Sequence, residues 1–112
     1  MALSKTLRLR RTRDIQNVFK RSFRLETGSM VIRLHKKNSL PGRAVVIIPK
    51  KVSKRAVVRN RLRRRVAEWV RVNFKLQTKP IDIVFSLKPG VEALSRKVLQ
   101  YELQGAASRL HI

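Results

Sequence analysis

The stretch Lys50-Lys51-Val52-Ser53-Lys54-Arg55-Ala56-Val57-Val58-Arg59-Asn60-Arg61-Leu62-Arg63-Arg64-Arg65-Val66-Ala67-Glu68-Trp69, running on through Val70 to Phe74, decides the fold. Its apolar residues Val58, Leu62, Val66 and Trp69 step by four, four and three, with Val70 beside them. That is the spacing of an α-helix. At roughly 100° per residue these five fall in a sector of about 120°, while Asn60, Arg64 and Arg71 lie opposite and Arg61 and Arg63 flank them. One side of the helix can bury itself and the other presents guanidinium groups and an amide. Arg55 and Arg59 project toward the apolar sector near the helix start, where long side chains can snorkel outward. The helix is expected over about residues 54–74, with Ser53 as its N-cap. A solvated helix face normally mixes signs, because like charges at i,i+4 cost a few tenths of a kcal/mol. Here Arg55, Arg59 and Arg63 repeat at that spacing, and Glu68 is the one acid. An anionic partner would remove the penalty.

The whole chain carries the same bias. It has 28 Lys and Arg against 6 Asp and Glu over 112 residues, a formal net charge of +22. Solubility needs far less. Such a field recruits polyanions, nucleic acid first among them. A membrane surface is a less favoured partner and none is expected, and no apolar run is long enough to span a bilayer. The absence of cysteine excludes disulfides and cysteine-ligated zinc. At 43% apolar residues one RNA-binding domain of modest core is expected over 1–112, its residues 1–11 a basic flexible arm.

In chain order, Ile15, Val18 and Phe19 mark a short amphipathic helix over 13–22, with Asp14 and Lys20–Arg21 suiting its dipole. Residues 23–29 form a loop with room for a short strand. Strands are expected at 30–35, 43–48 and 81–86. The near-continuous run Ala44 to Ile48 suggests a strand covered on both faces, ended by Pro49. The turn at 36–42 suggests a hairpin of 30–35 with 43–48. If 43–48 and 81–86 are instead parallel neighbours, the long helix is their crossover. A last helix lies within 91–110, with Leu94, Val98, Tyr101 or Leu103, and Leu110 inward, Ser95 a candidate cap, and Gly105 weakening its end. The class is α+β: a single-domain sandwich with one mainly antiparallel sheet of about four strands, ordered α-β-β-β-α-β-α.

Catalytic chemistry finds no foothold. The six acids Asp14, Glu26, Glu68, Asp82, Glu92 and Glu102 are dispersed, and no catalytic residue or metal site is expected among them. His35 and His111 have no partner at ligand spacing. No serine sits in a nucleophile motif and the four glycines form no phosphate loop. The residues describe a binder.

The motif Lys50-Lys51 after an apolar strand, then Ala56-Val57-Val58-Arg59-Asn60-Arg61, Leu62, Arg63-Arg64 and Glu68, resembles that of the bacterial-type ribonuclease P protein subunit. Arg8-Leu9-Arg10 through Phe19-Lys20 resembles that family's first helix, and Asp82-Ile83-Val84 through Lys88-Pro89-Gly90 its last strand and turn. The resemblance implies a left-handed βαβ crossover, against the usual hand. It implies a bacterial, cytoplasmic holoenzyme that removes 5′ leaders from precursor tRNA. The ribonuclease P RNA would carry catalysis, with magnesium. Lys50, Lys51, Lys54, Arg55, Arg59, Arg61, Arg63 and Arg64 would contact that RNA, and Asn60 would order the arginines or touch a sugar hydroxyl. Ile15, Phe19, Val31, Arg33 and Val46 would line the leader cleft. The chain departs from the family where Ile15 replaces a usual aromatic, Arg33 a frequent Tyr, Arg65 an apolar residue and Ala67 an arginine. A ribosomal or RNA-scaffolding protein with no role in cleavage is the alternative, since backbone neutralisation gives a similar composition. A DNA-binding helix-turn-helix protein lacks the required short turn between two helices.

Overall fold

A computed structural model describes residue 3 and residues 5–110. The elements are α1 (Thr12–Arg21), β1 (Phe23–Glu26), β2 (Met30–Lys36), β3 (Arg43–Ile47), α2 (Ala56–Asn73), β4 (Ile81–Leu87) and α3 (Arg96–Leu110). This is the expected α+β order, with β1 filling the short strand anticipated between 23 and 29. The sheet runs β1-β2-β4-β3; β4 is antiparallel to β2 and parallel to β3, so α2 is the crossover between parallel neighbours.

The expected hairpin of β2 with β3 does not form. β4 inserts between them, and β2 instead makes its hairpin with β1. The expectation of a doubly covered strand also belongs elsewhere. β3 is the outer strand of the sheet, burying alternate residues and half-burying the others, whereas β4 is buried at six of its seven positions. Position in the sheet, not the apolar run alone, sets how many faces are covered.

The period of two along each strand separates two layers. Met30, Ile32 and Leu34 of β2, Ala44 and Val46 of β3, and Ile83, Phe85 and Leu87 of β4 join one large core. α2 meets it with Leu62, Val66, Trp69 and Val70, and Val58 packs at its margin, as the helical spacing required. Trp69 packs edge-on against Phe74 at 5.2 Å between ring centres, and Phe74 continues to Phe85 at 6.5 Å. α3 seals this layer with Leu99, Leu103 and Ala106, not with Val98 or Tyr101, which are exposed. The interior stripe of α3 is therefore rotated by about one residue from the expected one. The opposite sheet face carries a smaller cluster in which Leu9, Val18 of α1 and Val84 of β4 are buried, with Ile15, Val45 and Ile47 around them.

Residues 5–9, expected within a mobile arm, lie along the outer edge of β3. The Leu9 N–H donates to the Ala44 carbonyl at 2.9 Å, Arg8 bridges Ala44 in parallel, and Leu3 and Leu9 are buried. That contact blunts an otherwise open strand edge. Residues 1, 2 and 4 of the expected arm, and His111, lie outside the described residues.

Ser53 does not cap α2. The helix begins at Ala56 with Arg55 as its boundary residue, and Ser53, two residues before that boundary, accepts through Oγ from the Arg55 N–H. Ser95, by contrast, accepts from the Val98 N–H at the start of α3, the contact expected of an N-cap.

Candidate RNA interface

The loop between β3 and α2 is pinned by one apolar side chain. Val52 is buried, while Lys50, Lys51, Lys54 and Arg55 around it are exposed. Anchoring one residue in four holds the lysines at fixed places on the surface. Arg59 ties this loop to the first turns of α2: it is half-buried, and its Nη1 donates to the Ser53 carbonyl at 2.8 Å. Its assignment as a phosphate contact is therefore shared with an internal role. Asn60, Arg61, Arg63 and Arg64 are exposed along the next turn. Asn60 Oδ1 accepts from Arg63 Nη1 at 2.8 Å, so in this structure the amide contacts one guanidinium. Arg63 and Arg64 also overhang a groove of about 270 Å³ toward the N-terminal segment, rimmed on its other side by Arg8 and Arg10. Those two arginines were expected in the basic arm and at the start of the stretch resembling the family's first helix, not beside α2.

The second expected cluster lies on the far face of the sheet. Strand register aligns Arg24, Arg33, Val84 and Val45 across all four strands, and Val31, Ser86 and Ile47 in the next inward row but one. α1 stands over this face with Ile15 half-buried, and Phe19 is 42% exposed. The structure thus brings Ile15, Phe19, Val31 and Arg33 to one side. Val46 is a correction: it pairs in register with Phe85 and lies in the large core at 7% exposure. Its neighbours Val45 and Ile47 occupy the α1 face instead. A strand alternates sides at each residue, so a one-residue error in phase exchanges faces.

All six acids are engaged within the protein. Asp82, 4% exposed, receives Arg43 through Nε and Nη2 at 3.2 and 2.9 Å and Lys37 Nζ at 2.8 Å. Arg43 also reaches Asp14 of α1 at 3.1 Å, and these carboxylates, Asp82 foremost, raise its pKa above the ordinary arginine value. Glu68 pairs with Arg71, and Glu26 with Lys88 and Arg24. Glu92 accepts from the Gly90 N–H, and Glu102 from Thr27 and the Ser29 N–H. Among the described residues no three His, Cys, Asp or Glu side chains gather where they could hold a metal. No helix among them is long and apolar enough to cross a membrane.

Fold and surface together define a small, strongly basic α+β protein with its cations concentrated along α2 and the loop before it. The family model for ribonuclease P matches residues 3–111. A ribonuclease P protein component of Prochlorococcus marinus (strain MIT 9303) is 34% identical over 116 residues, covering 91% of each chain. The solved RNase P protein of Thermotoga maritima superposes with a TM-score of 0.79 at 25% identity, over 91% of this chain and 96% of that one. That of Staphylococcus aureus gives 0.86 at 19% identity, over 95% and 96%, a likeness of fold. This chain belongs to the ribonuclease P protein family. It is thus a tRNA-processing subunit of a ribonucleoprotein endoribonuclease with an RNA partner, and the scaffold and helix-turn-helix readings fall.

Proposed function

We propose that the exposed side of α2, with the Lys50–Arg55 loop, binds the ribonuclease P RNA. The face between α1 and the sheet receives the 5′ leader of precursor tRNA, in the bacterial cytoplasm. The RNA, with magnesium, cuts the leader. The observation that carries this reading is the one-sidedness of α2: Leu62, Val66, Trp69 and Val70 are buried while Asn60, Arg61, Arg63 and Arg64 are exposed. An unbalanced cationic helix face matches a phosphate backbone, which such contacts bind by releasing counterions. The carboxylates contact groups of the protein itself, which supports assigning the ion to the RNA.

The test is leader cleavage by the protein reconstituted with ribonuclease P RNA at low magnesium. Arg61→Ala with Arg63→Ala is expected to slow cleavage and weaken RNA binding about tenfold or more. An unchanged rate and affinity would overturn the assignment of α2.

A further inference from the structure

α2 has a second flank, facing α3, where Arg61 and Arg64 of the reading above are joined by Arg65 and Arg96, which that reading does not use. Between the two helices lies a groove of about 510 Å³, within the roughly 300–1,000 Å³ of small-ligand sites. Arg61, Arg64 and Arg65 line it from α2, and Arg96 and Gln100 from the first turns of α3. The one acid there, Glu68, is ion-paired with Arg71, whose guanidinium holds its carboxyl below the ordinary range. The charged lining of the groove is thus four arginines and one ion-paired carboxylate, with Trp69, Val72, Asn73 and Gln100 completing it, from helices about thirty residues apart in sequence.

Arg65 supplies a second, independent observation. It is half-buried, and its Nε is fully buried with no hydrogen-bond partner among the described residues. A buried donor left without an acceptor costs about 1–3 kcal/mol, and such groups in native proteins call for an explanation. A phosphate oxygen is the acceptor that guanidinium geometry fits best, and it reaches Nε once the Arg65 side chain turns outward into the groove. The packing also fixes where this groove lies. α2 and α3 both cover the large core on one face of the sheet, whereas α1 and the Phe19–Arg33 cleft are on the other. A strand in the groove is therefore not the leader.

We propose that the α2–α3 groove is a second phosphate-binding site, which takes the sugar–phosphate backbone of one RNA segment. Arg65 and Arg96 are its anion contacts. A separate segment lies on the other flank of α2, against Arg63, Arg8 and Arg10. α2 then acts as a ridge straddled by two RNA segments, which would fix the protein's orientation on a folded RNA more firmly than one contact strip. The inference rests on the reading of the chain as an RNA-binding ribonuclease P subunit.

The experiment uses the full chain with ribonuclease P RNA. The sequence contains no cysteine, so a single Gln100→Cys carries a tethered iron–EDTA probe at one known place, and Asn60→Cys gives the reference. The Gln100 probe is expected to cut the RNA at nucleotides different from those cut by the Asn60 probe. Cutting from Asn60 with none from Gln100 would overturn the groove while leaving the parent reading intact. In parallel, Arg96→Ala should reduce the slope of log affinity against log salt by about 0.7–0.9, the loss of one phosphate contact. Adding Arg65→Leu should roughly double that change. Arg96 is exposed, so its variant keeps the test valid if Arg65→Leu fails to fold. Unchanged affinity and slope for Arg96→Ala would overturn the proposal. Failure of the wild-type chain to bind this RNA at all would sink the parent reading and the groove with it.

Discussion

The guanidinium of Arg33 on β2 lies over the ring of Phe19 on α1, 4.5 Å from its centre. This cation–π contact joins the helix to the sheet at the mouth of the proposed leader cleft and holds a positive charge against an exposed aromatic face. Of the six aromatic residues, Trp69, Phe74 and Phe85 are consumed by the core, so few remain for stacking on bases. Phe19→Ala is expected to weaken binding of precursor tRNA by about 1–3 kcal/mol per base stacked. Binding of mature tRNA to the reconstituted holoenzyme should not change. Equal losses for the two ligands would show that Phe19 does not sense the leader.

Asp82 is the most buried acid and holds β4 to Lys37 and Arg43, the latter reaching on to α1 through Asp14. Removing the carboxylate strands two partly buried cations. Asp82→Ala should cost about 3 kcal/mol or more, read as a lowered urea midpoint. A midpoint shift below about 0.5 kcal/mol equivalent would mean that water already satisfies these cations.

Glu102 links α3 to the turn between β1 and β2. Burial pushes its carboxyl up, but the Thr27 hydroxyl and the Ser29 N–H, with Lys88 nearby, hold it below its ordinary value on balance. The unfolded chain therefore takes up this proton first as pH falls. The stability Glu102 contributes is present above the ordinary carboxylate pKa and is lost as pH drops through the lowered folded value. Glu102→Ala should cost about 1–2 kcal/mol near neutrality. The gap from wild type in chemical denaturation should close in acid; a gap constant with pH would refute the charged role. Glu26 and Glu68 are lowered in the same direction by Lys88 and by Arg71. Both are exposed, so raised salt should mute their share and isolate that of Glu102.

Two glycines should respond oppositely to alanine. At Gly42 a Cβ would run into the backbone carbonyl oxygen of Lys79, and the Gly42 N–H already donates to Leu76 at 2.6 Å. Gly42→Ala should destabilise by about 1 kcal/mol or more. Gly105 sits inside α3 with open space at its Cβ position. There alanine should stabilise by about 0.5–1 kcal/mol, since it restricts the unfolded chain. Thermal melts of the two variants shifting the same way would contradict this account.

What the sequence by itself determined were the features that local spacing encodes. The 3.6-residue period from Val58 to Val70 defined α2, its buried side and its cationic side, and the branched runs marked β2, β3 and β4. The charge imbalance and the motif around Arg59-Asn60-Arg61 identified the kind of partner. Only the tertiary structure decided which strands are neighbours, because β4, which follows β3 only after the whole of α2, enters between β3 and β2. That insertion made β4 the doubly covered strand, and strand register sent Val46 to the core and Val45 and Ile47 to the α1 face. Packing of α3 against the same core turned Leu99 and Leu103 inward and set Arg96 and Arg65 on one groove. Local periods fix which side of an element is apolar, but only packing between distant segments fixes what each side meets.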